Sequence, residues 1–256
     1  MKTALSLSTP EEWETAGRLR ADFREVRIDL IKDDATALQL LKLCSGAEVS
    51  VPAAASPVSS SASAPASAAP ASHAPAYRSV GADFDDTIQN ERIPTIATIR
   101  SRKEGGEFDG NIGDWHLAIK PWLNSACDYI DVEEQFSPLA DEIHSYGKKI
   151  IASVHMNRMP DRDELLEIEK RLRGYGDIVK IVVAPQSMSD AADFVKFTAE
   201  AKKPIITSIM GNEFAKVRIA LMIAGSALIY CHSGVKASAG QYHIADVQKI
   251  IEILKG

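Results

Sequence analysis

Lys180 lies within Asp177-Ile178-Val179-Lys180-Ile181-Val182-Val183-Ala184, a run that otherwise reads as a fully buried parallel strand. Burial disfavours an ammonium, lowers its pKa and leaves a neutral amine. A neutral amine is the nucleophile that Schiff-base chemistry requires. Taken alone, the residue reads more simply as a strand-end lysine that snorkels to solvent or guards against aggregation. Its neighbours change that weighting. Other reactive side chains stand at the ends of comparable runs: Glu25, Arg27 and Asp29; Arg100 and Glu104 before Gly105-Gly106; Asp131 and Glu133; His155; Arg218 after Met210-Gly211; and Ser238 to Gln241. Each has a plain reading of its own. His155 alone is a core histidine, Arg100 and Glu104 a rim salt bridge, Arg218 a helix-surface residue, and Ser238-Ala239-Gly240-Gln241 a loop. Together they form an amine, an imidazole, carboxylates and guanidiniums with no trio of metal ligands.

The elements that must position them emerge from hydrophobic period. Ala4 to Ser8 reads as a strand. Thr9-Pro10-Glu11-Glu12 reads as a capping box with proline at the first helical position, opening a helix to about Asp22. Glu25 to Leu30 alternates as a strand does, and Asp33 to Leu43 carries a leucine-rich helical face ending near Gly46. Further strands are expected at Thr95–Arg100, Tyr129–Glu133, Lys149–His155, Ile178–Ala184, Ile205–Met210 and Ala227–Tyr230. Helical patterns lie between them, among them Asp163–Arg173, Asp190–Lys202 and Ile244–Leu254. Eight strands alternating with helices mean parallel βαβ units, and in this length they fit a single-domain (β/α)8 TIM barrel over residues 1–256. An open doubly wound sheet would want a glycine-rich turn after the first strand, and Ser8-Thr9-Pro10 offers none. In a closed barrel the strand C-termini form the active face, where the reactive residues fall.

Residues 48–92 interrupt the pattern. From Val51 to Ala76 the chain is Ala, Ser and Pro apart from Val51, Val58 and His73, which predicts a disordered excursion with nothing large to bury. It falls between the second helix and the third strand, so it should leave from the face opposite the active one.

The chain has 256 residues and a net charge of −6. That balance lacks the basic face of a nucleic-acid binder, yet clustered arginines can still set a local field for an anionic substrate. Three scattered cysteines, Cys44, Cys127 and Cys231, give neither a disulfide framework nor metal-ligand spacing. A reducing cytoplasm is the simplest location. The opening Met1 to Leu7 is too short for a signal peptide, and no stretch is long enough for a transmembrane helix.

These residues in this order resemble the type I 3-dehydroquinate dehydratases, Schiff-base enzymes of the shikimate pathway. The matching stretches are Glu25-Val26-Arg27-Ile28-Asp29, Arg100 to Gly106, Tyr129 to Glu133, Ser153-Val154-His155, Asp177 to Lys180, Met210-Gly211 with Arg218, and Ser238 to Gln241. The resemblance implies that Lys180 forms the imine, that His155 is the general acid/base and that Glu104 orients it. It further implies that Arg218 grips the substrate carboxylate, that Glu25, Arg27 and Arg100 contact ring hydroxyls, and that Ser238 and Gln241 belong to a loop closing over the substrate. The expected reaction removes water from 3-dehydroquinate, with an imidazole pKa near 7 at His155, and requires no metal and no organic cofactor. A homodimer is expected, and neither nucleic acid nor membrane as partner. The chain departs from the family at Met156, at Glu213-Phe214 and at Ala239, where a proline is usual. Two rivals share part of the pattern: another lysine-imine barrel such as a class I aldolase, which would want a phosphate cradle after the last two strands, and a catalytically silent barrel that binds a carboxylate.

Overall fold

The structure is a computed structural model that describes residues 1–46 and 92–256. The disordered insertion expected over 48–92 therefore lies outside the described residues, apart from Arg92.

β1 (Lys2–Leu7) leads into α1 (Pro10–Arg18). Thr9 caps α1 in the predicted capping box, with Glu12 returning a bond to the cap backbone. α1 stops short of the expected Asp22, because Arg20 adopts a left-handed φ of 51° and turns the chain into β2 (Phe23–Arg27). β2 ends at Arg27 rather than Leu30. Asp29 pulls back onto Arg27 through two hydrogen bonds of 2.7 and 2.9 Å, and Ile28–Leu30 closes into a 3-10 turn. α2 (Asp34–Cys44) comes next, capped by Asp33. The remaining strands are β3 (Thr95–Thr98), β4 (Tyr129–Glu133), β5 (Lys149–His155), β6 (Ile178–Val183), β7 (Ile205–Ile209) and β8 (Leu228–His232), with α3 (Ile112–Leu123), α4 (Ala140–Ser145), α5 (Arg162–Leu172), α6 (Met188–Glu200) and α7 (Val217–Ile223) between them. β9 (Tyr242–His243), a two-residue strand outside the sequence expectation, precedes α8 (Ile244–Lys255). β3 gives up Ile99 and Arg100 from its expected span because the chain turns there to bridge Ser101 with Phe108.

All ladders are parallel, in the order β7-β6-β5-β4-β3-β2-β1-β8-β9. The sheet curls into the barrel, and its seam between β7 and β8 is sewn by other means than a ladder. Ala227 donates its N–H to the Ile205 carbonyl at 2.8 Å, and the Ser226 hydroxyl accepts from the Thr207 N–H at 2.9 Å.

The barrel interior is stacked by the two-residue period of a strand. Ala4, Phe23, Ile96, Ile151, Ile206 and Leu228 form an apolar floor. Two residues further on, the inward positions are Ser6, Glu25, Thr98, Ser153, Ser208 and Tyr230, joined by Asp131 and Lys180. Two further still come Arg27, Arg100, Glu133, His155, Val182, Met210 and His232. A larger apolar shell between strands and helices, including Trp115, Trp122 and Phe194, holds the outer layer in place. Pro94, just after the undescribed segment, accepts from Arg24 at the start of β2, so the C-terminal flank of that segment sits at the N-terminal face.

Candidate active site

The polar tier directly above the floor sets the lysine. Lys180 is 4% exposed. Its Nζ donates to Asp131 Oδ2 at 2.9 Å, lies 3.9 Å from Glu25 Oε1, and sits over the Tyr230 ring at 4.2 Å from the centroid. The isolated amine of the sequence reading is thus a paired one. Two carboxylates and an aromatic face offset the loss of water. Glu25 is held in turn by the hydroxyls of Ser6 (2.5 Å) and Thr98 (3.1 Å).

Arg100 is the hub of the next tier. It donates to Asp131 (2.6 Å), Glu133 (2.9 Å), Glu104 (3.2 Å) and Ser153 (3.2 Å). Burial opposes its charge, but the three carboxylates override this and raise its pKa. Burial would likewise raise Asp131; Arg100 and Lys180 instead hold it well below the usual carboxylate range. Arg100 reaches its position because Gly106 lies against its backbone: a Cβ there would fall 2.1 Å from the Arg100 carbonyl oxygen.

His155 ends β5 with its Nδ1 3.0 Å from Glu104 Oε2. The ring is lowered well below its ordinary pKa by burial first, then by Arg100, Lys180 and Arg27. This points below the expected value near 7: burial and three converging cations favour the uncharged ring. Burial pushes Glu104 up, against the pull of Arg100 and with the repulsion of Glu133 and Asp131, and Glu104 and His155 titrate as a pair.

Two arginines finish the walls. Arg27, doubly bonded to Asp29, also reaches the Ala237 carbonyl at 3.5 Å. Arg218 lies in the first turn of α7 yet is 6% exposed, so it does not sit on the outer helix face. Its Nη2 donates to the carbonyls of Ile209 (2.5 Å) and Ala239 (3.0 Å), and its Nε is buried without a partner among the described residues. Burial without a carboxylate pulls it down to about 10.

The loop after β8 covers these groups. Gln241 receives the N–H groups of Ala237 (3.0 Å) and Ser238 (3.3 Å) and donates to Ser6 at 3.2 Å. Gly240 has a φ of 78°, and a Cβ there would meet the Gly211 carbonyl oxygen at 2.2 Å; only glycine lets the loop tip abut the turn after β7. Between loop and barrel is a cavity of about 230 Å³. The predicted site residues Glu25, Arg27, Arg100, Glu104, His155, Lys180, Arg218, Ser238 and Gln241 all line it.

The arrangement places a buried amine, an imidazole held low in pKa, and a guanidinium with no carboxylate partner among the described residues around one small space, with carboxylates behind them. That suits proton transfer beside a carbonyl held as an imine. Among the described residues no group of three or more His, Cys, Asp or Glu is disposed to hold a metal ion. Sequence reasoning noted Asp131 and Glu133 as strand-end carboxylates but did not assign them to the site, and it missed Tyr230. Their signal was the same as that of Lys180: polar side chains two apart on a buried strand, pointing inward.

A family profile described as Type I 3-dehydroquinase matches residues 72–256. A 3-dehydroquinate dehydratase of Methanoregula boonei is 41% identical over 163 residues, covering 64% of this chain and 78% of that protein. One from Klebsiella pneumoniae is 30% identical over 175 residues, covering 63% and 70%. The solved 3-dehydroquinate dehydratase of Geobacillus kaustophilus superposes with a TM-score of 0.72 at 22% identity, over 100% of this chain and 91% of that one. The profile begins after Glu25 and Arg27, so at those two residues the structural likeness is one of fold.

Proposed function

The chain belongs to the type I 3-dehydroquinase family, and from that premise we propose roles for the residues around its cavity. It is a 3-dehydroquinate dehydratase of the shikimate pathway, a hydro-lyase that converts 3-dehydroquinate to 3-dehydroshikimate.

Lys180, held by Asp131 and Glu25, first passes a proton to the neutral His155. The free amine attacks the ketone carbon. The carbinolamine hydroxyl takes that proton back from the imidazolium and leaves as water, and an iminium remains beside the carbon that must lose a proton. The positive nitrogen draws the electron pair of that C–H bond, so a weak acid becomes a workable one. His155, neutral in its cationic surroundings, takes the proton. The resulting enamine expels the hydroxyl one carbon further on, and the proton returns from the imidazolium to that oxygen as water leaves. A histidine poor at holding a proton is a good donor at this second step. Water then hydrolyses the product imine and frees Lys180.

Glu104 sets the ring. One of its oxygens accepts from both the His155 backbone N–H (2.9 Å) and Nδ1, which fixes the tautomer and leaves Nε2 for the substrate. Arg218 holds the substrate carboxylate: it is the cation of the cavity without a carboxylate partner among the described residues. Arg27 and Glu25 meet ring hydroxyls. Arg100, committed to three carboxylates, contributes chiefly by fixing Asp131, Glu133 and Glu104. Asp131 keeps Lys180 aimed at the cavity until the substrate arrives. The enzyme works in the cytoplasm as a homodimer without nucleic acid or membrane; no helix of the described residues is long and apolar enough to cross a bilayer.

The observation that carries this reading is the buried Lys180 amine facing the same cavity as the neutral His155. Borohydride added with 3-dehydroquinate should reduce the imine and leave the ligand mass on Lys180. Lys180→Met should lose the adduct and at least about a thousandfold in turnover, the scale of a lost nucleophile. An adduct on another lysine, or none, overturns the assignment.

A further inference from the structure

The loop that covers the cavity runs from Ser233 to Gln241, between β8 and β9, and histidines stand at both ends of the segment it belongs to. His232 is the last residue of β8 and His243 the last of β9, and the two are register partners in the short parallel ladder. Their rings meet edge to face, 5.5 Å apart at 85°. Each spends its Nδ1 lone pair on the backbone. His232 Nδ1 accepts the Gly234 N–H at 3.1 Å, which turns the chain out of β8. His243 Nδ1 accepts the Ala245 N–H at 3.2 Å and so caps α8. The loop thus starts at one imidazole and finishes beside the other. What it carries is docked on the site: Ala239 on Arg218, Ala237 on Arg27, and Gln241 on Ser6 beside Glu25.

We propose that His232 and His243 are positioning residues for the dehydration, a clamp that closes the covering loop only while both imidazoles are uncharged. The chemistry of the two bonds demands this. A protonated imidazole has N–H on both nitrogens and accepts nothing, so charge on either ring removes its backbone bond. A charge on His232 is opposed first by burial, then by His243 on β9 and Lys236 on the loop, and is favoured by Asp246 of α8. His232 is 9% exposed, so water does little to relieve it. Acid therefore releases the loop, and the substrate loses its cover. The inference rests on the proposed function, in which the loop holds substrate, and adds what holds the loop.

Steady-state kinetics with 3-dehydroquinate from about pH 5 to pH 8 test it. Asparagine presents an oxygen where Nδ1 lies and has no proton to gain, whereas alanine presents nothing. His232→Ala should raise KM about tenfold at neutral pH, the cost of one lost hydrogen bond, with kcat changed far less. His232→Asn should restore KM. In the wild type KM should climb as pH falls below about 6, and the double variant His232→Asn/His243→Asn should flatten that climb. Gln241→Ala serves as the control for the underlying reading: an unchanged KM there removes the loop from substrate binding and the clamp with it. A raised KM in Gln241→Ala with wild-type KM in His232→Ala overturns the clamp alone. So does an identical acid climb in the wild type and the double variant, and that comparison decides the matter if His232→Ala fails to fold.

Discussion

One oxygen of Glu104 meets His155 twice. Oε2 accepts the backbone N–H of His155 at 2.9 Å and lies 3.0 Å from the ring Nδ1 of the same residue, while Arg100 approaches it at 3.2 Å. These contacts hold the imidazole in place, and in the proposed mechanism they leave its Nε2 to face the substrate.

With His155 as the proposed general base, its lowered pKa sets the pH dependence of catalysis. A general base works when deprotonated, so activity is lost as pH falls through the pKa of that base. The His155 value lies well below 6.5, through burial first and then three nearby cations. With substrate saturating, kcat should hold level from about pH 8 to about pH 6.5, where an ordinary histidine is already half protonated. His155→Ala should lower kcat about 10² to 10⁴-fold while still allowing imine to be trapped. A half-maximal kcat at about pH 6.5 or above in the wild type would contradict the neutral ring.

Arg218→Lys should raise KM and also slow turnover. A guanidinium holds both oxygens of a carboxylate, whereas an ammonium is a single point charge. Among the described residues its contacts are main-chain carbonyls, and its Nε lacks a partner. Losing the grip should cost about 1.5–3 kcal/mol, roughly ten- to hundredfold in KM, and a misplaced ring weakens proton abstraction as well. Unchanged kinetic constants in the variant would leave the substrate carboxylate to another residue.

Ser226→Ala tests the barrel seam. The hydroxyl accepts from the Thr207 N–H (2.9 Å) and lies 3.2 Å from the carbonyls of Thr207 and Leu228. Alanine leaves a buried N–H unsatisfied where no ladder replaces it. Urea unfolding should show a loss of about 1–3 kcal/mol, with the slope of stability against denaturant unchanged. Wild-type stability would mean that the single bond from Ala227 to Ile205 is enough to close β7 on β8.

Deletion of residues 51–76 should leave kcat and KM near those of the intact chain. The chain re-enters the barrel at its N-terminal face, with Pro94 bonded to Arg24 at the start of β2, whereas the cavity lies at the C-terminal ends of the strands. Shortening a connection changes closure entropy only slowly. Steady-state assays and a melting curve on the deletion variant are the check, and lost activity at unchanged stability would place the segment near the cavity.

Eight strands alternating with helices, the capping box at Thr9 and the inward rows could all be read along the chain before it folds. Lys180 and His155 were legible because a polar side chain inside an apolar strand has few places to go. Glu104, Arg218, Ser238 and Gln241 were legible only through their order along the chain. Folding settled who meets whom. Asp131 and Lys180 are 49 residues apart, and their contact depends on the register of β4, β5 and β6, which no local pattern encodes. The same holds for Arg100, whose commitment to three carboxylates replaces an open hand with a closed one. It holds for His155 too, whose pKa is lowered by burial and then by cations that other parts of the barrel bring to it. A strand pattern fixes which way a side chain points; only closure of the barrel fixes what it finds there, and at these distances charge and burial decide the chemistry.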